Sequence, residues 1–167
     1  MLVRKAVYDD IPRLMAIFAE ARITMRECGN MNQWPDTYPS EEIIRKDISG
    51  GHCLVCCEND GTITGTFACI PGPDPTYSVI YDGEWPDEEP YRVIHRIAAS
   101  RHPKPSESII DVCFRWTYAF TDVIRIDTHR DNVIMHHLLS KHGFRRCGVI
   151  LLANGEPRDA FHKNIKA

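Results

Sequence analysis

A chain of 167 residues with 43% hydrophobic and 26% charged side chains has the balance of an ordinary globular domain, which excludes a disordered chain, a collagen and a coiled-coil rod. Folding at this length buries roughly 68–70% of the extended surface, so one core suffices without disulfide or metal staples. Lys and Arg number 20 against 23 Asp and Glu, a formal charge of -3 that gives no general electrostatic reason to bind nucleic acid or an anionic membrane.

The N-terminal Met1-Leu2-Val3-Arg4-Lys5-Ala6 becomes charged before a signal-peptide core can form, and no apolar run approaches the ~20 residues of a bilayer span. A soluble cytoplasmic protein is expected. Leu2 to Val7 reads as a short strand, then Asp9 or Asp10 caps a helix with Pro12 in its first turn. Ile11, Leu14, Met15, Phe18, Ala21, Ile23 and Met25 recur at helical spacing up to Gly29. Asn30 to Pro39 is a loop, Ser40 caps a short helix with Glu41 and Glu42 in its first turn, and Gly50-Gly51 ends it. His52 to Glu58 and Thr62 to Ile70 form a hairpin around Asn59-Asp60-Gly61.

Pro71-Gly72-Pro73-Asp74-Pro75 breaks that strand and opens a long excursion to Pro90 that carries Tyr77, Tyr81 and Trp85 among acids. Aromatic surface on a long loop suits either a binding lid or packing against the domain. Tyr91 to Ala99 reads as a central strand and Arg101 to Ser106 as a loop. Ile109, Val112, Cys113, Trp116 and Phe120 then keep helical spacing behind a Ser106 or Ser108 cap. Val123 to Thr128 is a strand, and Asp131 or Asn132 opens a helix through Lys141 that Gly143 stops. Cys147 to Ala153 and Arg158 to His162 form the last hairpin. The inventory is α/β (α+β), one domain over 1–167, with a mixed central sheet of about six to seven strands flanked by about four helices.

Seven cysteines, an odd number, stand at Cys28, Cys53, Cys56, Cys57, Cys69, Cys113 and Cys147, five of them in apolar segments, as suits reduced thiols used as small hydrophobes. Cys53-x-x-Cys56 has a zinc-like spacing without a second pair and falls within a strand, so it reads as structural. His129, His136, His137 and His142 lack the Glu-bearing pattern of a zinc helix, and no metal is expected.

The segment from Asp131-Asn132-Val133-Ile134 through Ser140-Lys141-His142-Gly143-Phe144 is similar to the Asn-containing helix of the GNAT superfamily of acyl-CoA N-acyltransferases, which ends in Lys-x-Gly-Phe. His95-Arg96-Ile97-Ala98, Ile126-Asp127-Thr128-His129 and Cys147-Gly148-Val149-Ile150 resemble a bacterial branch of that family. The resemblance implies a GNAT-like fold, acetyl-CoA as cosubstrate, and acetyl transfer to a primary amine of a small molecule or peptide by direct attack. The alternative is a catalytically degenerate acyl-CoA-binding or small-molecule-sensing module.

By the same resemblance the acyl carbonyl and pantetheine lie against the strand backbone at Ile97, Ala98 and Ala99, with Asn132, Ser140 and Lys141 on the cofactor side of the later helix. A helix N-terminus favours a pyrophosphate, and Arg101 to Ser108 occupies that position. The family's glycines are missing there: Pro103 and Pro105 have no N–H to donate and Glu107 brings negative charge. Arg101, Lys104, Ser106 and Ser108 are the compensating groups. Val93, His95, Ile97 and Ala99 are expected on one face of the strand, opposite Ile94, Arg96 and Ala98. His95 resembles a histidine of the serotonin N-acetyltransferases and is the candidate base, since imidazole exchanges a proton near neutral pH; its alternative is a structural histidine orienting Arg96 or Asp127.

The family's usual acid, a Tyr seven positions after the helix Asn, is Leu139 here, leaving His136, Ser140 and Tyr118 as substitutes without a privileged one. Asn132 reads equally as a helix cap. Gln33 and Trp34 lie where family members contact the acceptor, and Asp127 can attract an ammonium. A docking surface on the Pro71 to Pro90 excursion, with a homodimer, stays open.

Overall fold

The computed structural model describes residues 1–167. Seven strands form one mixed sheet: β1 (Leu2–Lys5), β2 (Cys53–Cys57), β3 (Ile63–Pro71), β4 (Arg92–Ala99), β5 (Val123–Thr128), β6 (Arg145–Leu151) and β7 (Pro157–Asn164). Their order across the sheet is β1-β2-β3-β4-β5-β7-β6, antiparallel everywhere except between β4 and β5. Four helices cover it: α1 (Ile11–Glu27), α2 (Glu41–Ser49), α3 (Ile109–Thr117) and α4 (Val133–Lys141). A strand, a crossover helix and a parallel strand require such a connection, and α3 supplies it between β4 and β5. No helix is long and apolar enough to cross a membrane.

All four helices start where their apolar spacing predicts, and two caps act as expected. The Ser40 hydroxyl accepts from the Ile43 amide at 3.3 Å, and Asn132 Oδ1 accepts from the Met135 amide at 3.1 Å. Asp10 precedes α1 without capping it. Its carboxylate instead takes both Arg4 nitrogens, at 2.7 and 2.9 Å, and the Val7 amide at 2.8 Å, closing a short 3-10 turn. Nor does α3 reach Phe120, as its spacing predicts: the helix stops at Thr117, and Phe120 stands 57% exposed against the Trp116 ring. Ser108 holds the position before α3 but makes no side-chain cap, and Ser106 is engaged elsewhere.

The core lies in two layers. Leu14, Ile17 and Phe18 of α1 and Ile44 of α2 pack on one face of the sheet with Cys53, Val55 and Cys57 of β2. Residues of α3 and Leu139 of α4 pack on the other face with Leu54 and Cys56. Cys53 and Cys56 therefore point to opposite sides of β2, as an odd spacing on a strand demands, and cannot share a ligand. All seven cysteines are free and six are buried, the role of small hydrophobes read from the sequence.

The excursion between β3 and β4 packs against the domain rather than standing over it as a lid. Tyr81 exchanges two backbone hydrogen bonds of 2.8 Å with Val149, covering the outer edge of β6. That approach needs glycine: a Cβ on Gly148 would collide with the Tyr81 carbonyl oxygen and one on Gly83 with the Cys147 carbonyl oxygen. Further along, the buried Arg125 guanidinium of β5 lies between the Trp85 and Tyr91 rings, at 4.2 and 4.1 Å from their centroids, and donates to the Asp87 carbonyl oxygen at 2.7 Å.

Two irregularities in β4 open the sheet. Its pairing with β5 is confined to Arg92 with Ile124 and Val93 with Arg125, so beyond Val93 the two strands part. Opposite β3, Thr66 pairs with Ala98 and Ala68 with His95, which leaves one extra residue on β4 and makes a bulge. Arg96 takes a φ of +54° there, a conformation that costs about 1–3 kcal/mol outside glycine. The predicted alternation therefore fails: Ile97 joins Ile94 in the α3-side cluster instead of sharing a face with His95. The Arg96 side chain turns to α2, where Asp47 holds it through bonds of 2.8 and 2.9 Å.

Candidate active site

Where β4 and β5 part, a cleft of about 1330 Å³ runs between α1, the 30–38 loop, the 100–108 loop and the start of α4. It gathers nearly all the residues singled out from the sequence. Ile97, Ala98 and Ala99 form its wall on β4, while Arg101, Lys104, Ser106, Glu107 and Ser108 line one end. Gln33, Trp34, His95, Asp127 and Asn132 line the rest. Ser140 and Lys141 do not reach it: both are exposed, about two turns of helix beyond Asn132, since each residue advances about 1.5 Å.

Substitutes for the missing acid fare no better. Leu139 is fully buried in the α3-side core, so the position offers nothing to the cleft. Tyr118 packs on the same cluster with its hydroxyl unpartnered, and His136 lies edge-on against Phe161 at 5.2 Å. The one tyrosine on the cleft wall is Tyr38, whose hydroxyl accepts from Arg96 at 3.2 Å.

At the 100–108 end the loop's donors are in use. The Arg101 amide donates to Glu20 of α1 at 2.5 Å, where the Ser100 hydroxyl also donates at 3.1 Å. Burial works against ionisation of Glu20, but these bonds outweigh it and hold the carboxyl below its ordinary range. The Ser106 hydroxyl and amide both donate to Glu58, and the Thr64 hydroxyl adds a bond of 2.8 Å; together they lower the Glu58 carboxyl. Glu107 is held by Arg115 at 2.9 Å and by the terminal amine at 3.0 Å, so its negative charge is neutralised locally. What this end still offers an anion is Lys104, which forms no ion pair, Arg101, paired with Glu27 at 3.0 Å, and the uncapped first turn of α3.

The 30–38 loop is tied across the cleft by one side chain. Gln33 Oε1 accepts from Asn30 and Asn132, both at 2.9 Å. Asn132 thus caps α4 with its oxygen and clasps the loop with its nitrogen, committing both ends of its amide within the chain. Trp34 meets Phe18 edge-on at 5.9 Å, fixing the loop to α1.

At the other end His95 sits between two carboxylates. Its Nε2 is 3.2 Å from Asp74 Oδ2, and its Nδ1 is 3.8 Å from Asp127 Oδ1. Burial raises the Asp74 carboxyl, yet hydrogen bonds from His95 and from the Thr76 hydroxyl and amide prevail and bring it down to about 2. An ionised carboxylate only accepts, so Nε2 carries the hydrogen and, in the neutral ring, Nδ1 keeps the lone pair. Tyr77 donates its phenol to Asp127 Oδ1 at 2.7 Å; burial first, then Asp127, push that phenol well up and keep it a donor.

Asp74 and Tyr77 carry no signal in the sequence beyond a proline-rich break and an aromatic excursion. Their placement depends on the two rings that hold Arg125. Trp85 Nε1 donates to the Tyr77 carbonyl oxygen at 2.9 Å, and the Asp74 amide donates to the Tyr91 hydroxyl at 3.0 Å. No cluster of three or more His, Cys, Asp or Glu side chains is arranged to hold a metal ion.

No protein-family model and no curated protein sequence matches the chain. Solved structures do. An acetyltransferase of the GNAT family from Streptococcus agalactiae 2603 is 32% identical, with 98% of this chain and 94% of that one covered and a TM-score of 0.82. A GNAT-family acetyltransferase from Listeria monocytogenes 4b F2365 is 20% identical over 98% and 94% of the two chains, with a TM-score of 0.71. A ribosomal-protein-alanine N-acetyltransferase from Brucella melitensis shares the fold at 17% identity, 98% and 99% coverage and a TM-score of 0.57.

Proposed function

The chain belongs to the GNAT family of acetyltransferases, and from that premise we propose that it moves an acetyl group from acetyl-CoA to a primary amine, with His95 taking the proton of the attacking amine. The carrying observation is the Asp74–His95 hydrogen bond beside the parting of β4 and β5, which leaves an imidazole nitrogen with a free lone pair on the cleft.

When bound, acetyl-CoA would supply the thioester whose carbonyl carbon a neutral amine attacks, its C–S bond breaking and the thiolate taking a proton from solvent, since Leu139 stands at the family's acid position. The groups suited to hold it are the unpaired β4 edge at Ile97 to Ala99, Lys104, and the uncapped start of α3 at Ser108. The fit is tempered by Glu58, whose carboxylate must leave the Ser106 donors before an anionic group can use them. On the amine side, His95 removes a proton directly or through one water, and Asp74 holds the ring in the tautomer that can do so. Asp127 stabilises the imidazolium that forms, since its oxygen lies 3.8 Å from the accepting nitrogen.

The test is thiol release from acetyl-CoA across a broad panel of amines. Release above background for at least one amine is expected, and background release throughout overturns the assignment; coenzyme A binding without turnover favours the sensing module instead. Replacing His95 with Gln should cost most on the acid side of the rate optimum, where solvent leaves the amine protonated. An unchanged pH profile removes His95 from the mechanism.

A further inference from the structure

The acceptor end of the cleft is unbalanced in charge. Two guanidiniums line it, and both are already committed to acids of the chain. Arg96 makes two bonds to Asp47, at 2.8 and 2.9 Å. Arg158, itself buried, donates to Glu156 at 3.1 Å and to the carbonyl oxygens of Pro157 and Gln33 at 2.9 and 3.5 Å. The two carboxylates beside His95 have no such cation. Asp74 receives His95 and Thr76 only, and Asp127 receives the neutral Tyr77 phenol on Oδ1. Asp127 Oδ2 has no donor from the chain, although only 10% of that side chain is exposed and it lines the cleft. A carboxylate that is mostly enclosed, with one oxygen bonded by the chain and the other left open to the cleft, is a seat for a cation delivered from outside.

We infer that the acceptor is a primary amine that arrives as its ammonium ion and carries no carboxylate near that nitrogen, with Asp127 as the residue that sets the preference. Alkylamines, polyamines, amino-acid amides and peptide N-termini meet the requirement, whereas free α-amino acids do not. The ammonium meets Asp127 Oδ2 and is carried to the accepting nitrogen of His95, 3.8 Å from the same carboxylate. A carboxylate on the neighbouring carbon would enter between Asp74 and Asp127 with both guanidiniums occupied, and like charges set together disfavour the wrong partner strongly. This inference rests on the acetyl-transfer reading above.

Matched pairs test it on the unmodified protein: glycine, alanine and leucine, each against its own amide, with ethylamine as a carboxylate-free reference. Thiol release at saturating acetyl-CoA is expressed per amine in the ammonium form that meets Asp127, and ethylamine, at least as basic as the free acids, shows how much of any difference within a pair comes from basicity alone. Each amide is expected to exceed its acid in kcat/KM by at least about tenfold, the factor that corresponds to about 1.4 kcal/mol. Equal or better use of the free acids overturns the inference while leaving acetyl transfer intact. Background release with every compound, ethylamine included, defeats the acetyl-transfer reading and this one with it. In Asp127→Asn the ratio should fall towards one with coenzyme A binding retained. An unchanged ratio in a variant that still binds coenzyme A removes Asp127 as the cause, and the matched pairs stand without it should that variant not fold.

Discussion

The two ends of the cleft are built in opposite ways. The 100–108 end comes from one contiguous loop rich in proline and hydroxyl groups, and its amides are taken by Glu58 and Glu20, which lie 48 and 81 residues away from the donors they occupy. The His95 end comes from three segments far apart in sequence, Asp74 with Tyr77, His95 and Asp127, and there a ring nitrogen and a carboxylate oxygen remain uncommitted. A contiguous segment reveals by composition which groups are near one another. Whether those groups are free depends on what folds onto them.

If the two ends act separately, substitutions at one should leave the other's binding unchanged, and the largest effect belongs to His95. His95→Gln should lower kcat/KM for the amine by about 10²–10⁴-fold, the usual worth of a positioned base, with coenzyme A affinity unchanged by calorimetry. A parallel loss of coenzyme A binding would break the separation. Asp74→Asn comes next and should lower kcat as well, because the Asn amide can donate to Nε2 and favour the tautomer whose Nδ1 carries the hydrogen. It carries a second signature in stability. Because the folded Asp74 carboxyl is lowered from 3.8 to about 2, its contribution is complete above pH 4 and is lost as pH falls through 2. Denaturation curves between those pH values should fall less steeply for the Asn variant.

Arg125→Lys sharpens the comparison from a distance. Lysine keeps the charge but loses the planar stack between Trp85 and Tyr91, whose hydrogen bonds hold the Tyr77 and Asp74 backbones. Stability should fall by ~1–2 kcal/mol, the worth of the lost cation–π attraction at this desolvated site, and amine turnover should fall with the displaced Asp74 and Tyr77, without a change in KM for acetyl-CoA. The smallest effect is expected at the opposite end and with the opposite sign. Glu58→Ala frees the Ser106 amide and hydroxyl and should tighten coenzyme A binding a few-fold. Unchanged or weaker binding would mean that the carboxylate does not compete with the cofactor.

Local signals were read well because they act over a few residues. Ser40 and Asn132 cap the helices they precede, Val123 to Thr128 is a strand as it stands, and Gln33, His95 and Asp127 do share one cleft. Errors arose where a distant partner intervened. The alternation along β4 breaks at Arg96 because Asp47 of α2, 49 residues away, draws the guanidinium to its own side, and a regular strand would not have delivered both His95 and Arg96 there. Ser140 and Lys141 match a motif yet stand outside the cleft, since motif spacing says nothing about where along the helix the groove ends. Asp74 was visible only as the acid in a proline-rich break, with no nearby residue to announce its histidine.

By itself the sequence determined the elements, their caps, the apolar faces and hence the mixed sheet covered on both sides, because periodicity and capping are properties of neighbouring residues. Only the tertiary structure decided which donors and charges are free to meet a ligand. A hydrogen bond or an ion pair is committed by whichever side chain reaches it first, and in this chain Glu20, Glu58, Asp47 and Asp74 all reach across the fold to make that choice.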